Sequence, residues 1–189
     1  TYIDSFDFKK LKRIDKGAEE NRRSSFQEHE VVAIKTALNE YIADAEKEID
    51  LAGNFSKAVT GYYLGFSLIT GLRRGEQLQL RWSDVEDMEN EHARSTPFEL
   101  IRVTVRGETS KVRKTRKFVV KDYGYYLSLM RLKKQTSGEK IKEKDLRAWL
   151  GDKLMFTTNG KTPITPRAIG YHFDKVLEKA GITHLDSRD

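Results

Sequence analysis

A change of hydrophobic period near the middle of the chain constrains its fold more than any other feature. Val31, Ile34, Leu38, Tyr41, Ile42, Ala45 and Ile49 recur at three- and four-residue steps. That is the stripe of a helix with one face on a core; it is predicted to begin near Ser24/Ser25 and to end at Gly53-Asn54. A second, largely buried helix carries Phe55, Val59, Tyr62, Phe66 and Ile69 on one face, with Leu64 and Leu68 nearby. From Leu100 the period falls to two: Ile101, Val103 and Val105 alternate with Arg102, Thr104 and Arg106. Gly107 to Ser110 reads as a turn and Arg116 to Lys121 as a returning strand, which together make a hairpin. Further helices are predicted over 77–82, 122–134 and 143–150, and Leu154-Met155-Phe156 reads as a short buried segment. Thr165-Pro166 opens a final helix that Gly181 stops, with Ile169, Phe173, Val176 and Leu177 on its core face. The expected fold class is mainly α with a small antiparallel β-sheet, an α+β arrangement.

Composition removes several function classes. The 189 residues contain no Cys, which excludes a thiolate metal site, a disulfide scaffold and a Cys nucleophile. His29, His92, His172 and His184 show no paired ligand spacing, so no metal is expected, and His172 reads as a packed or surface residue. The apolar run around Tyr62 to Ile69 is far shorter than the ~20 residues of a membrane span, and no signal-peptide pattern opens the sequence. Residues 1–23 are polar and charged and read as a linker or the tail of an upstream domain, leaving 24–189 as the folded unit.

Charge is concentrated rather than spread. The whole chain carries +6, yet residues 101–121 alone hold eight Lys or Arg against one acid, Glu108, a local +7. Such a ribbon repels itself unless a polyanion lies beside it, and a nucleic-acid backbone is the obvious one. A solvated edge hairpin that uses Lys to block aggregation is the alternative. A second signal is Arg73 in Thr70-Gly-Leu-Arg-Arg-Gly-Glu76. Gly71 permits a sharp turn, after which a guanidinium held near the core and oriented by Glu76 suits the oxygens of a phosphate. A plain helix-start salt bridge explains the same residues equally well.

The stretch Thr70-Gly-Leu-Arg-Arg-Gly-Glu-Gln-Leu-Gln-Leu-Arg-Trp-Ser-Asp84 resembles the first conserved box of the tyrosine recombinase (phage integrase) family. In the family's order follow Ile101 to Val120, similar to its β-hairpin, with Lys111-Val-Arg-Lys-Thr-Arg116 at the place of its lysine. Next come the Leu154 to Phe156 segment, the Thr165-Pro166 helix and Ala180-Gly181-Ile182. The resemblance spans about residues 24–183. It implies a partial catalytic domain for site-specific DNA recombination or integration, in which a tyrosine attacks a DNA phosphate and forms a phosphotyrosine link. Arginines hold the non-bridging oxygens and a hairpin lysine protonates the leaving oxygen. It assigns Arg73 as a catalytic arginine, Glu76 as its supporting partner and Lys111 as the leaving-group acid, with Lys114 the other possibility for that acid. Arg106, Arg113, Lys114, Arg116 and Lys117 are expected at DNA, though Arg116 equally suits an internal salt bridge. The implied partners are double-stranded DNA and further copies of the chain in a synaptic assembly on it. No cofactor, metal or membrane is implied, and the setting is the cytoplasm, bacterial or phage-encoded.

Two of the family's parts have no counterpart in these residues. No His is followed three residues later by Arg, and His184 with Arg188 has the wrong spacing. The eight Tyr all lie at or before Tyr171, ahead of where the nucleophile would fall, and Tyr62, Tyr63, Tyr123, Tyr125 and Tyr126 read mainly as packing residues. The expectation is a catalytic domain incomplete at its C-terminus and unable to cleave DNA alone. A non-catalytic DNA-binding module using the basic hairpin is the alternative. An RNA-binding role is less well served, since Phe118 is the hairpin's lone aromatic.

Overall fold

A computed structural model describes residues 26–88, 99–110, 113–142 and 145–183. Those residues are mainly helical, with one three-stranded antiparallel sheet. Helix α1 spans Glu28–Lys47 and buries Ile34, Ala37, Leu38, Tyr41, Ile42 and Ala45, most of the stripe read from the sequence. Two members of that stripe differ: Val31 is exposed, and Ile49 lies past the helix end. The helix stops early because Asn54 Nδ2 takes the Glu48 carbonyl at 2.8 Å, satisfying it from outside the helix.

Helix α2, Asn54–Thr70, runs through the centre of the molecule. Two glycines let its neighbours close in. A Cβ on Gly61 would stand 2.6 Å from Ile42 of α1, and one on Gly65 2.7 Å from the Tyr125 ring. Gly71 ends the helix in the left-handed region, φ 60°, with its N–H donating to the Ser67 carbonyl at 2.9 Å. The sharp turn expected there is present.

The third helix is shorter and earlier than expected: α3 covers only Arg74–Leu78. Beyond it the chain extends, because Leu80 and Trp82 pair with the 153–155 segment. Met155 N–H donates to Leu80 O at 3.0 Å and Trp82 N–H to Lys153 O at 3.2 Å. Both side chains are thereby buried, at 2% and 1% exposure, which one more helical turn would not achieve. A single 3₁₀ turn, Trp82–Asp84, then leads into strand β1, Val85–Met88, which the sequence reading missed. Strands β2, Glu99–Val105, and β3, Arg116–Asp122, form the expected hairpin, and the sheet order is β1-β2-β3. The register pairs Val103 with Phe118 and Val105 with Arg116.

Helix α4, Tyr125–Ser137, follows Gly124 and starts three residues after the predicted 122, because the chain is still in β3 as far as Asp122. The buried Asp122 carboxylate accepts the N–H groups of Tyr125 (3.0 Å) and Tyr126 (2.7 Å). Helix α5, Leu146–Leu150, and helix α6, Pro166–Lys179, complete the fold. Thr165 Oγ1 caps α6 by accepting from Ala168 N–H at 3.2 Å, as its sequence predicts. Aromatic packing closes the core: Phe156 meets Tyr63 and Phe66 at ring distances of 5.3 and 5.6 Å, and Trp82 meets Tyr126 at 5.7 Å. Tyr62, Tyr63, Tyr125 and Tyr126 are all buried, so their packing role holds; Tyr123 is partly exposed, with Lys35 over its ring. His172 packs too, sharing a 2.7 Å hydrogen bond with the Tyr41 hydroxyl.

Candidate functional site

Glu76 is the centre of a charged cluster that joins the helical layer to the sheet. It lies in α3, with its side chain 2% exposed. Burial at that depth demands partners, and they come from two elements. Arg116, at the start of β3, places Nη1 2.9 Å and Nη2 2.8 Å from the two carboxylate oxygens, a bidentate pair. Arg73 donates its backbone N–H at 3.3 Å and holds Nη1 3.8 Å from Oε1. The Arg116 guanidinium pulls the Glu76 carboxyl below its usual range, and Glu76 in turn raises Arg116.

This arrangement corrects one expectation. Arg73 is not held near the core: its side chain is 64% exposed, and the strong partner of Glu76 is Arg116. The reason is strand alternation. Along β3, Arg116, Phe118, Val120 and Asp122 turn toward the protein, while Lys117, Val119 and Lys121 turn to solvent. Arg116 therefore shares a face with Phe118 and reaches inward, whereas Lys117 is presented outward. Of the two roles left open for Arg116, the internal salt bridge is the one present.

Arg106 is likewise engaged within the protein. Its Nε donates to Asp84 Oδ2 at 3.2 Å and its Nη2 to the Gln79 carbonyl at 2.7 Å, and Nη1 pairs with Glu108. It braces the end of β2 against the segment after α3, so a phosphate contact would compete with these bonds. Arg113, Lys114 and Lys117 are exposed. No carboxylate pairs with them among the described residues. Arg113 adopts φ 51° and donates its N–H to Ser110 O at 2.9 Å, curling the loop back on itself. Gly107 accommodates that curl, since a Cβ there would lie 3.1 Å from the Arg113 carbonyl. Lys111 lies outside the described residues. Its neighbour Ser110 is buried and sits 3.5 Å from Arg116 Nη1, which ties this part of the loop to the Glu76 cluster.

Sequence reasoning missed Gln77. Fully buried, it accepts from Ser67 Oγ at 2.9 Å and donates to the Tyr63 carbonyl at 2.7 Å, fixing α3 on α2. That anchor sets the position of Glu76 one residue earlier. A Gln in an amphipathic pattern gives no sign of it.

The fold and site together define an α+β domain that displays a cationic loop and strand beside an exposed arginine, braced by a buried carboxylate. Comparison of the chain with protein-family models, with curated proteins and with solved structures gives no match. Among the described residues no group of His, Asp or Glu is arranged to hold a metal ion, and no helix is long and apolar enough to cross a membrane.

Proposed function

We propose that this chain binds duplex DNA and is the catalytic-domain portion of a tyrosine-type site-specific recombinase, the parent protein breaking and rejoining DNA through a phosphotyrosine. The observation that carries the reading is the Glu76 cluster. It joins the Arg73 turn to the loop end of the basic hairpin through contacts of 2.8 to 3.8 Å, so the two segments that bear the resemblance meet in space. In this reading Arg73, exposed and preoriented by its backbone bond to Glu76, donates to the non-bridging oxygens of the scissile phosphate. Lys111 protonates the leaving 5′-oxygen, with Lys114 as the other assignment, and Arg113, Lys114 and Lys117 neutralise flanking phosphates. Glu76 and Arg116 act through Arg73 and the loop, as positioning residues.

The test is covalent trapping on a nicked duplex substrate, using the longer polypeptide that the reading implies. A protein–DNA adduct is expected with Arg73 intact and none with Arg73→Ala, while non-specific binding survives the substitution. Adduct formation by the Arg73→Ala protein would remove Arg73 from the chemistry. DNA binding with no adduct in the intact longer polypeptide would leave the non-catalytic module as the correct reading.

A further inference from the structure

A groove of about 840 Å3 opens between the end of α4, α5 and the loop after Phe156, and it shares no residue with the Glu76 cluster. Its volume falls within the roughly 300–1,000 Å3 typical of small-molecule sites. Three lysines, Lys133, Lys153 and Lys161, line it against one acid, Asp50. None of the three is paired with a carboxylate among the described residues. Lys133 is the unusual one. It is half-buried, its ammonium donates to the Thr157 carbonyl and lies 4.9 Å from the Phe55 ring centre, and burial pushes its pKa down to about 8. Lys153 holds its ammonium 4.0 Å from the centre of the Trp149 ring, which also lines the groove.

A cavity that sets ammonium groups without carboxylate partners beside an indole offers two kinds of contact, the ring face becoming free for a ligand as Lys153 moves from it onto an anion. The ammoniums suit a phosphate as point charges, and the ring suits a planar base. We infer that this groove binds a nucleoside monophosphate, with its phosphate between Lys133 and Lys153 and its base against Trp149. An anion there supplies the counter-charge that Lys133 lacks.

Trp149 and the fully buried Trp82 are the two tryptophans, so quenching of Trp149 reports occupancy, with Trp149→Phe as the control. The whole chain is titrated with adenosine monophosphate, adenosine and inorganic phosphate. The nucleotide is expected to saturate at a Kd of about 10 μM to 1 mM, at least about tenfold tighter than either fragment. Lys133→Met, which removes the ammonium and keeps much of the side-chain bulk, is expected to weaken it about tenfold or more. Lys153→Ala, at the exposed rim, is expected to weaken it at least about threefold without touching the core. Affinity should fall as pH rises from 7 to 9 through the Lys133 pKa. A Lys114→Ala/Lys117→Ala chain should bind the nucleotide unchanged, which separates this site from the DNA surface. The inference is overturned by no saturation below about 10 mM nucleotide, by phosphate binding as tightly as the nucleotide, or by unchanged affinity in folded Lys133→Met or Lys153→Ala chains.

Discussion

Replacing Arg116 by Met tests the brace beneath the proposed site. Met keeps much of the aliphatic bulk but removes both hydrogen bonds to Glu76, of 2.9 and 2.8 Å, and leaves a carboxylate of 2% exposure with the Arg73 backbone N–H at 3.3 Å and the Arg73 guanidinium at 3.8 Å. Breaking a fully buried pair from one side costs about 3–5 kcal/mol. Arg116 is itself 40% exposed, so solvent offsets part of this, and about 2–3 kcal/mol is expected here. For a chain of this size that corresponds to a fall in melting temperature of roughly 4–12 °C. Urea unfolding followed by circular dichroism gives the free energy, and Glu76→Gln with the double variant completes a cycle with coupling of about 1–3 kcal/mol. The pH dependence carries a definite sign. Arg116 holds the folded-state pKa of Glu76 below its unfolded value, so this stabilisation is present above the ordinary carboxylate pKa. It is lost as pH falls through the depressed folded value. The gap between wild type and Arg116→Met should therefore shrink in acid. A variant within about 0.5 kcal/mol of wild type at pH 7, or a gap that widens in acid, would refute the reasoning.

Three further substitutions probe the frame. Gly65→Ala drives a Cβ to 2.7 Å from the Tyr125 ring and should cost about 1–3 kcal/mol in chemical denaturation, whereas Gly75→Ala, with open space around it, should be neutral or stabilising by up to about 1 kcal/mol. Equal effects would mean that α2 and α4 are not in close contact. Asp122→Ala removes the acceptor for two N–H groups at the start of α4 and should lower stability by about 1–2 kcal/mol, measured the same way; no change would mean those groups are satisfied elsewhere.

Periodicity made the helices and the hairpin legible, because burial of one face leaves a mark every three to four residues in a helix and every two in a strand. Gly71 and Thr165-Pro166 were legible for a related reason: each residue type answers one local backbone need. What escaped depends on partners distant in sequence. The chain after Leu78 abandons the helix because residues 153–155 offer it an edge, and β1 exists because β2 pairs with it. Within the candidate site, the acidic centre Glu76 and the exposed Arg113, Lys114 and Lys117 could be read off directly. The division of labour between Arg73 and Arg116 could not, since it turns on which face of β3 meets α3. Arg106 shows the same limit. Its charge reads as available, yet Asp84, Gln79 and Glu108 take it up through contacts that no local pattern announces.

The most direct measurement is the affinity of the 189-residue chain for a short duplex across a salt series, beside a Lys114→Ala/Lys117→Ala chain. With Arg73, Arg113, Lys114 and Lys117 each neutralising a phosphate, log K should fall against log salt with a slope of about −3.6, and the double variant should show about −1.8. A flat salt response, or a slope that the double substitution leaves unchanged, would contradict a DNA-binding face on this hairpin.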